Sequence, residues 1–397
     1  MKILVVCQYY SPEPFRISDI CEELVKKGHE ILVITGVPNY PEGRIYRDYR
    51  HGRKRDEIIN GVRVHRCFTI ARRTGVVFRF LNYYSYSLSS AIYTSLLREE
   101  FDVVFVNQLS PVMMARAAIK YKEKHKKRMI LYCLDLWPES LVVGGVKKGS
   151  MLYNFYHKVS EKMYTKADQT LVSSKLFTNY FCEEFGIEDA LYLPQYAETI
   201  FDAEHCRKKP NGTIDLMFAG NIGVAQSVET IIYAANMTKD IENLNWHIVG
   251  DGSELEKIKK LSCTLGLSNV IFHGRQSLEA MPKYYAMADA MLVTMQKNDI
   301  ISTTLPGKVQ TYMAAGKPIF GAIDGETAMI INEAQCGLCC GAADYQGLAD
   351  IIRDYAVHYN TQQYGSCALD YYNKTFSKDV IFKKLIDSLN EINCKRE

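Results

Sequence analysis

A proline-glycine turn followed at once by a lysine is the feature of this chain most suggestive of chemistry. Thr303-Thr304-Leu305-Pro306-Gly307-Lys308 leads into Val309-Gln310-Thr311-Tyr312-Met313-Ala314-Ala315-Gly316-Lys317-Pro318-Ile319. Pro306 and Gly307 start a helix predicted from about Lys308 to Ala315, Gly316 ends it, and Pro318 opens the next strand. A helix N-terminus carries partial positive charge and free amides, and Lys308 in its first turn adds a full charge. Together they suit a diphosphate; a solvated first-turn lysine is the alternative. Gly220-Asn221-Ile222-Gly223 follows a strand and precedes a helix, so its amides can approach a phosphate unobstructed, although a plain tight turn has the same sequence. Other chemistries lack their motifs. Gln8-Tyr9-Tyr10-Ser11-Pro12 stands where a dinucleotide fingerprint would follow the first strand, and no Walker-type loop is present. No His-Glu-x-x-His or clustered Cys/His set suggests a metal.

These residues sit at the ends of predicted strands, so the elements come next. Residues 2–7 are continuously apolar and β-branched, as a buried parallel strand is. A helix over Ile17–Lys27 ends at Gly28, and His29–Thr35 completes a βαβ unit. Strands follow at Val62–Cys67, Asp102–Asn107, Met129–Leu134 and Gln169–Ser173, with helices at Phe78–Arg98, Pro111–Lys124 and Met151–Tyr164. The stretch His205-Cys206-Arg207-Lys208-Lys209-Pro210-Asn211-Gly212 is polar and turn-rich and reads as a linker. A second series begins at Ile214–Gly220 and continues through a helix at Val228–Met237 and strands at Trp246–Gly252, Val270–Gly274, Ala290–Thr294 and Pro318–Gly321. The alternation predicts an α/β protein with two Rossmann-like domains, whose strand ends face one another across a cleft.

Composition agrees with two domains. At 397 residues, 47% hydrophobic and 23% charged, the chain is long enough for two ordinary cores. The formal net charge of +3 is too small for a general polyanion binder. Twelve cysteines are scattered without paired spacing and read as free thiols of a reducing cytoplasm. The first residues form a strand rather than a signal peptide, and no run reaches the roughly 18 apolar residues of a spanning helix.

Lys26 with Gly28-His29-Glu30-Ile31-Leu32-Val33-Ile34-Thr35, Val249-Gly250-Asp251-Gly252, Ala288-Asp289 and Met313-Ala314-Ala315-Gly316-Lys317-Pro318 together resemble glycosyltransferase family 4, the retaining GT-B enzymes. Pro38-Asn39-Tyr40-Pro41-Glu42-Gly43, Asp135-Leu136-Trp137-Pro138-Glu139-Ser140 and Gly220-Asn221-Ile222-Gly223 with Gln226 look like the branch that builds bacterial capsule and O-antigen repeats, which includes N-acetyl-fucosaminyl transferases. The resemblance is collinear from Met1 to about Asp344. It implies a metal-independent transfer from a UDP-sugar, with no separate cofactor, to a polyprenyl-diphosphate-linked glycan. The domains would be 1–203 for the acceptor, 204–375 for the nucleotide sugar, and a terminal helix over 376–397 crossing back to the first.

Residue by residue, the resemblance implies the following roles. Asp135, at a strand end of the first domain, orients the acceptor hydroxyl, takes its proton or stabilises an oxocarbenium-like transition state, or else caps the following turn. Glu139 is its possible substitute. Many members carry Glu-x7-Glu before the Ala-x-Gly turn, the first acid facing the donor sugar and the second holding the ribose hydroxyls. Thr303 and Thr311 occupy those positions here. Asn221 and Gln226 replace the usual Arg and Lys of the second domain, leaving Lys308 as the main cation for the diphosphate. Gly220, Gly223 and Gly250 shape the donor loops, and the Asp251 and Gly252 turn beside Gly250 is structural at its simplest. Thr304 and Leu305 belong to the donor segment. Arg275, after Gly274, lies where relatives place base and ribose, or is a surface arginine. Arg16 reaches the phosphates or pairs on the first helix.

Ten basic residues, Arg47, Arg50, Arg53, Lys54, Arg55, Arg63, Arg66, Arg72, Arg73 and Arg79, accompany the aromatics Phe78, Phe80, Tyr83, Tyr84, Tyr86 and Tyr93. Cations interleaved with aromatics suit an anionic headgroup layer, predicting peripheral docking on the inner face of the cytoplasmic membrane; a half-buried domain helix is the alternative. No nucleic-acid motif accompanies them. Two other classes share the architecture: a non-hydrolysing nucleotide-sugar epimerase, which would need several cleft acids and histidines, and a non-catalytic scaffold subunit, suggested by the missing glutamates. The sequence does not set an oligomeric state.

Overall fold

The computed structural model describes residues 1–358 and 361–394, apart from the side chains of 361 and 362. The chain divides into two compact units. The first holds β1 (Lys2–Val6), β2 (Glu30–Gly36), β3 (Asp56–Ile59), β4 (Val62–Cys67), β5 (Val103–Gln108), β6 (Arg128–Cys133), β7 (Gln169–Val172) and β8 (Leu191–Tyr192). Their order is β3-β4-β2-β1-β5-β6-β7-β8, parallel except for the β3–β4 pair. Ile3, Leu4, Val5 and Val6 are fully buried, because helices cover both faces of a parallel sheet. The second unit holds β9 (Ile214–Ala219), β10 (Leu244–Val249), β11 (Val270–Gly274), β12 (Ala290–Thr294), β13 (Ile319–Ala322) and β14 (Gly337–Cys340). Their order is β11-β10-β9-β12-β13-β14. Leu216, Phe218, Trp246, Ile248, Leu292 and Phe320 form its core with Ile231, Ile232, Leu348 and Ile352. Winding reverses beside the first strand of each sheet, between β1 and β5 and between β9 and β12, and ligands of such sheets bind at the carboxyl ends of those strands.

β3, β8 and β14 fall outside the predicted strands. Ile58 of β3 is 74% exposed, so its segment carries no core alternation. The strand exists because Asn60 and Gly61, both at positive φ (48° and 84°), make the tight hairpin that lays it against β4. The helix read over 111–124 resolves into a 3-10 turn at Val112–Ala115 and a helix at Arg116–His125. The terminal stretch forms helices at Thr361–Tyr371 and Lys378–Cys394, joined by a π turn at Tyr372–Phe376.

The units divide after Leu193, ten residues before the sequence boundary at 203, and the chain rejoins the first unit at Leu385 rather than 376. Packing explains the shift. Tyr196 lies against Phe382 at 5.7 Å, Phe201 stacks on Tyr285 at 4.9 Å, and the Ala197 N–H donates to the Tyr372 hydroxyl. Residues 194–203 therefore belong to the second unit. The stretch read as a linker is also tied down there. Lys208 Nζ donates to Asp215 Oδ2 at 2.6 Å and is ion-paired with Asp289, and Asp215 also accepts from Asn211, Thr213 and His247. Burial alone would raise the Asp215 carboxyl, but bonds from His247, Lys208, Asn211 and Thr213 hold it far below its usual range. The strap is stapled to the starts of β9 and β12.

Candidate active site

In the second unit the predicted helix spans Gly307–Ala314, with Pro306 at its N-cap. Its placement depends on Tyr312. The buried phenol donates to the Ala219 carbonyl at 3.0 Å and accepts the Ala219 N–H at 3.1 Å, which ties the helix to the last residue of β9. The first turn thereby lies beside Gly220. Lys308 Nζ sits 3.8 Å from the centroid of the Phe218 ring, is buried, and has no hydrogen-bond partner. A Cβ on Gly220 would stand 2.9 Å from that ammonium, so glycine there leaves the space the cation occupies. Burial lowers the Lys308 ammonium to about 7. Lys308 is thus neither solvated nor paired: a desolvated donor at a helix N-terminus on the switch-point strand, where an incoming phosphate oxygen would meet both.

The neighbouring glycines are required by crowding. A Cβ on Gly250 would fall 1.8 Å from the Gly220 carbonyl oxygen, and one on Gly252 2.3 Å from that of Ile222. Asn221 Nδ2 donates to Gln226 Oε1 at 3.0 Å, and the Gly223 N–H donates to the same oxygen. The two amides that replace the family's cations hold their own loop. Thr303 Oγ1 donates to the Ile300 carbonyl and Thr311 Oγ1 to that of Gly307, so both threonine hydroxyls spend their protons on the backbone. Thr304 is half-buried, Leu305 is buried, and Arg275 is exposed just beyond β11.

In the first unit Asp135 follows β6, half-buried, and its Oδ2 accepts the Ser110 N–H at 3.2 Å. Burial raises its carboxyl, against the Ser110 backbone and hydroxyl bonds and the charge of Arg72. A half-buried carboxylate of raised basicity suits proton abstraction from a sugar hydroxyl. Glu139 lies deeper, 1% exposed, with Oε1 accepting from Tyr153 at 2.6 Å and Tyr180 at 3.3 Å. Those bonds give it a packing role and leave Asp135 the more open acid. Arg16 is half-buried at the N-cap of the first helix, its charge near the Tyr132 phenol of β6.

The structure corrects the reading of the basic run. Arg66, 2% exposed, donates to Glu57 and to the Ser11 carbonyl, and Arg63 grips Glu99 with two bonds. Arg72 turns inward, lying over the Tyr83 ring at 5.7 Å with its charge near the Tyr9 phenol, whereas Arg73 and Arg79 stay exposed. Ser110, Phe218 and Tyr312 were not among the sequence candidates, and Arg72 was read only as a membrane-facing cation. Ser110, just past a strand end, carried a usable signal; Phe218 and Tyr312 looked like ordinary core.

Comparison with known proteins bears on the family and the fold. The family model described as Glycosyltransferase Family 4 matches residues 16–192, and that described as Glycosyl transferases group 1 matches residues 203–363. The chain is 24% identical, over 98% of its length and 100% of the relative's, to WcaI of Escherichia coli K12, whose name places it among the glycosyl transferases of colanic acid biosynthesis. Among solved structures it is similar to sucrose-phosphate synthase of Thermosynechococcus elongatus, with a TM-score of 0.76, 13% identity and 99% coverage of each chain. It is also similar to Anabaena HepE in complex with UDP, with a TM-score of 0.73, 14% identity, and coverage of 98% of this chain and 100% of that one. With one model matching each unit, the chain is a GT4-type glycosyltransferase built on the GT-B fold.

Proposed function

We propose that this glycosyltransferase moves a sugar, with retention and without a metal ion, from a UDP-sugar to a polyprenyl-diphosphate-linked glycan at the inner face of the cytoplasmic membrane, in the assembly of a bacterial surface polysaccharide. The donor sugar is an N-acetylated amino sugar such as N-acetyl-fucosamine. The observation that carries the reading is the buried, unpartnered Lys308 ammonium beside Gly220 at the start of the Gly307–Ala314 helix. A diphosphate supplies the counter-charge that site lacks, and Asp135 takes the acceptor proton. The HepE complexes with UDP and with UDP-glucose support a UDP donor, and the name of WcaI supports the polysaccharide setting. Incubation with a panel of UDP-, GDP- and ADP-sugars plus lipid-linked acceptors should release free nucleotide from a UDP-sugar. Turnover of none of them would favour a scaffold role.

Membrane docking has its support on the first unit. The Val76–Leu96 helix turns Tyr83, Tyr86, Ser87, Ser90 and Thr94 inward and leaves Val77, Leu81, Leu88, Ile92 and Leu96 exposed, Leu96 at 72%. The Met151–Tyr164 helix adds exposed Met151 and Phe155, and the two helices meet through a Tyr84–Tyr156 hydroxyl bond of 2.9 Å. Arg79 is exposed on the first of these helices, and Arg73, Lys147 and Lys148 are exposed on the flanking chain, as an anionic bilayer requires. No described helix is long and apolar enough to cross a membrane. Co-sedimentation with phosphatidylglycerol vesicles should fall at least tenfold in Leu88→Glu/Ile92→Glu, and unchanged pelleting would reject the docking face.

A further inference from the structure

Three loops at the carboxyl edge of the first sheet are linked by polar contacts. Glu13, 2% exposed in the loop after β1, accepts the Asn39 N–H at 2.8 Å and the Tyr40 N–H at 2.7 Å on its Oε1. Asn39, in the loop after β2, accepts the Arg72 N–H on its Oδ1 at 2.8 Å and donates from Nδ2 to the Val37 carbonyl. Arg72, in the loop after β4, lies over the Tyr83 ring at 5.7 Å, and its charge favours the ionised forms of the Tyr9 phenol and the Asp135 carboxyl. A buried carboxylate spent on two backbone N–H groups fixes a loop that has no strand or helix of its own.

That fixation brings three rings together. Tyr9 stacks on Phe15 with centroids 4.8 Å apart and planes 11° from parallel, and Tyr40 leans on both, at 5.8 Å from Tyr9 and 5.3 Å from Phe15. Tyr9 is buried, Phe15 half-buried, and Tyr40 remains 36% exposed. Core packing accounts for Tyr9 but not for holding Tyr40 at the surface. The C–H face of a pyranose ring is an apolar surface with slightly positive hydrogens, which complements the negative face of an aromatic ring. The charge of Arg72 acts on both Tyr9 of this cluster and the Asp135 carboxyl.

We propose that Tyr40, backed by Phe15 and Tyr9, is the stacking platform for the acceptor's sugar ring, and that Glu13 is the residue that positions it. This rests on the assignment of the Asp135 edge to the acceptor. The hydroxyl of the stacked ring lies toward Asp135, while any lipid portion of the acceptor lies beyond the platform.

Saturation-transfer NMR on the full chain tests this with methyl β-D-glucopyranoside and its 2-acetamido-2-deoxy counterpart as probes. Ring C–H signals should saturate in the wild type and fall at least fivefold in Tyr40→Ala and Glu13→Ala. They should persist in Tyr40→Phe, which keeps the ring, and in Glu13→Gln, which keeps an oxygen for both N–H groups. Thermal melts followed by circular dichroism on the same samples report that each variant is folded. No saturation in the wild type, or equal saturation in Tyr40→Ala, overturns the platform. Failure of the Asp135 assignment reads differently: Asp135→Asn would then turn over like the wild type, whatever the ring signals do.

Discussion

Replacing Lys308 with methionine is expected to lower kcat/KM for the donor by about 10²- to 10³-fold, the usual cost of deleting one preorganised charge aimed at a developing anion. The same change should stabilise the protein without ligand, because methionine fills the space over Phe218 without a desolvated ammonium. The pH dependence follows from the lowered ammonium, at about 7 in the fold against an ordinary 10.5. Between those values the unfolded chain holds a proton that the folded chain has released. The stability of the unliganded protein therefore rises as pH increases through that window. A bound diphosphate pulls the ammonium back toward its ordinary value, so UDP-glucose binding above pH 7 takes up a proton and weakens by up to about tenfold per pH unit. Calorimetry in buffers of different ionisation enthalpy reads this directly. A wild-type affinity that is flat with pH and matched by Lys308→Met would remove the lysine from the donor site.

Asp135→Asn should cost about 10²- to 10⁴-fold in kcat, the range for a lost general base, with donor affinity within about twofold. The carboxylate is the active form. Burial raises its pKa, so wild-type kcat/KM should fall as pH drops through that raised value. Arg72→Met removes the positive charge that opposes the rise, and the acidic limb should move to higher pH. A merely structural arginine would lower activity without moving the limb. Steady-state rates from pH 5 to 9 with wild type, Asp135→Asn and Arg72→Met distinguish these outcomes.

Much of the architecture could be read from local pattern. Ile3–Val6, Val103–Val106, Met129–Cys133 and Ala290–Val293 are apolar without interruption, which specifies strands covered on both faces. Gly28 and Gly316 end their helices at positive φ, 87° and 62°, where glycine is the least strained residue. Edge strands were harder. β3 is half charged and half exposed, and its existence depends on a hairpin and a neighbour rather than on its own periodicity. The boundary near 203 was misplaced because Tyr196 and Phe201 look like any loop aromatics until their ring partners are known.

The sequence by itself determined two doubly wound sheets, the strand ends carrying Gly220 and Asp135, and a helix starting beside Lys308, because each is written in residues close together along the chain. Tertiary structure decided the state of those side chains. Lys308 could have been solvated; it is desolvated because Phe218, distant in sequence, lies beneath it. Arg72 and Arg73 are adjacent and chemically alike, yet one turns in to Tyr9 and the other out to solvent. Lys208 looked like linker charge until it met Asp289, 81 positions away. Charge state and reactivity follow from desolvation and partners, and those are set only when distant segments pack.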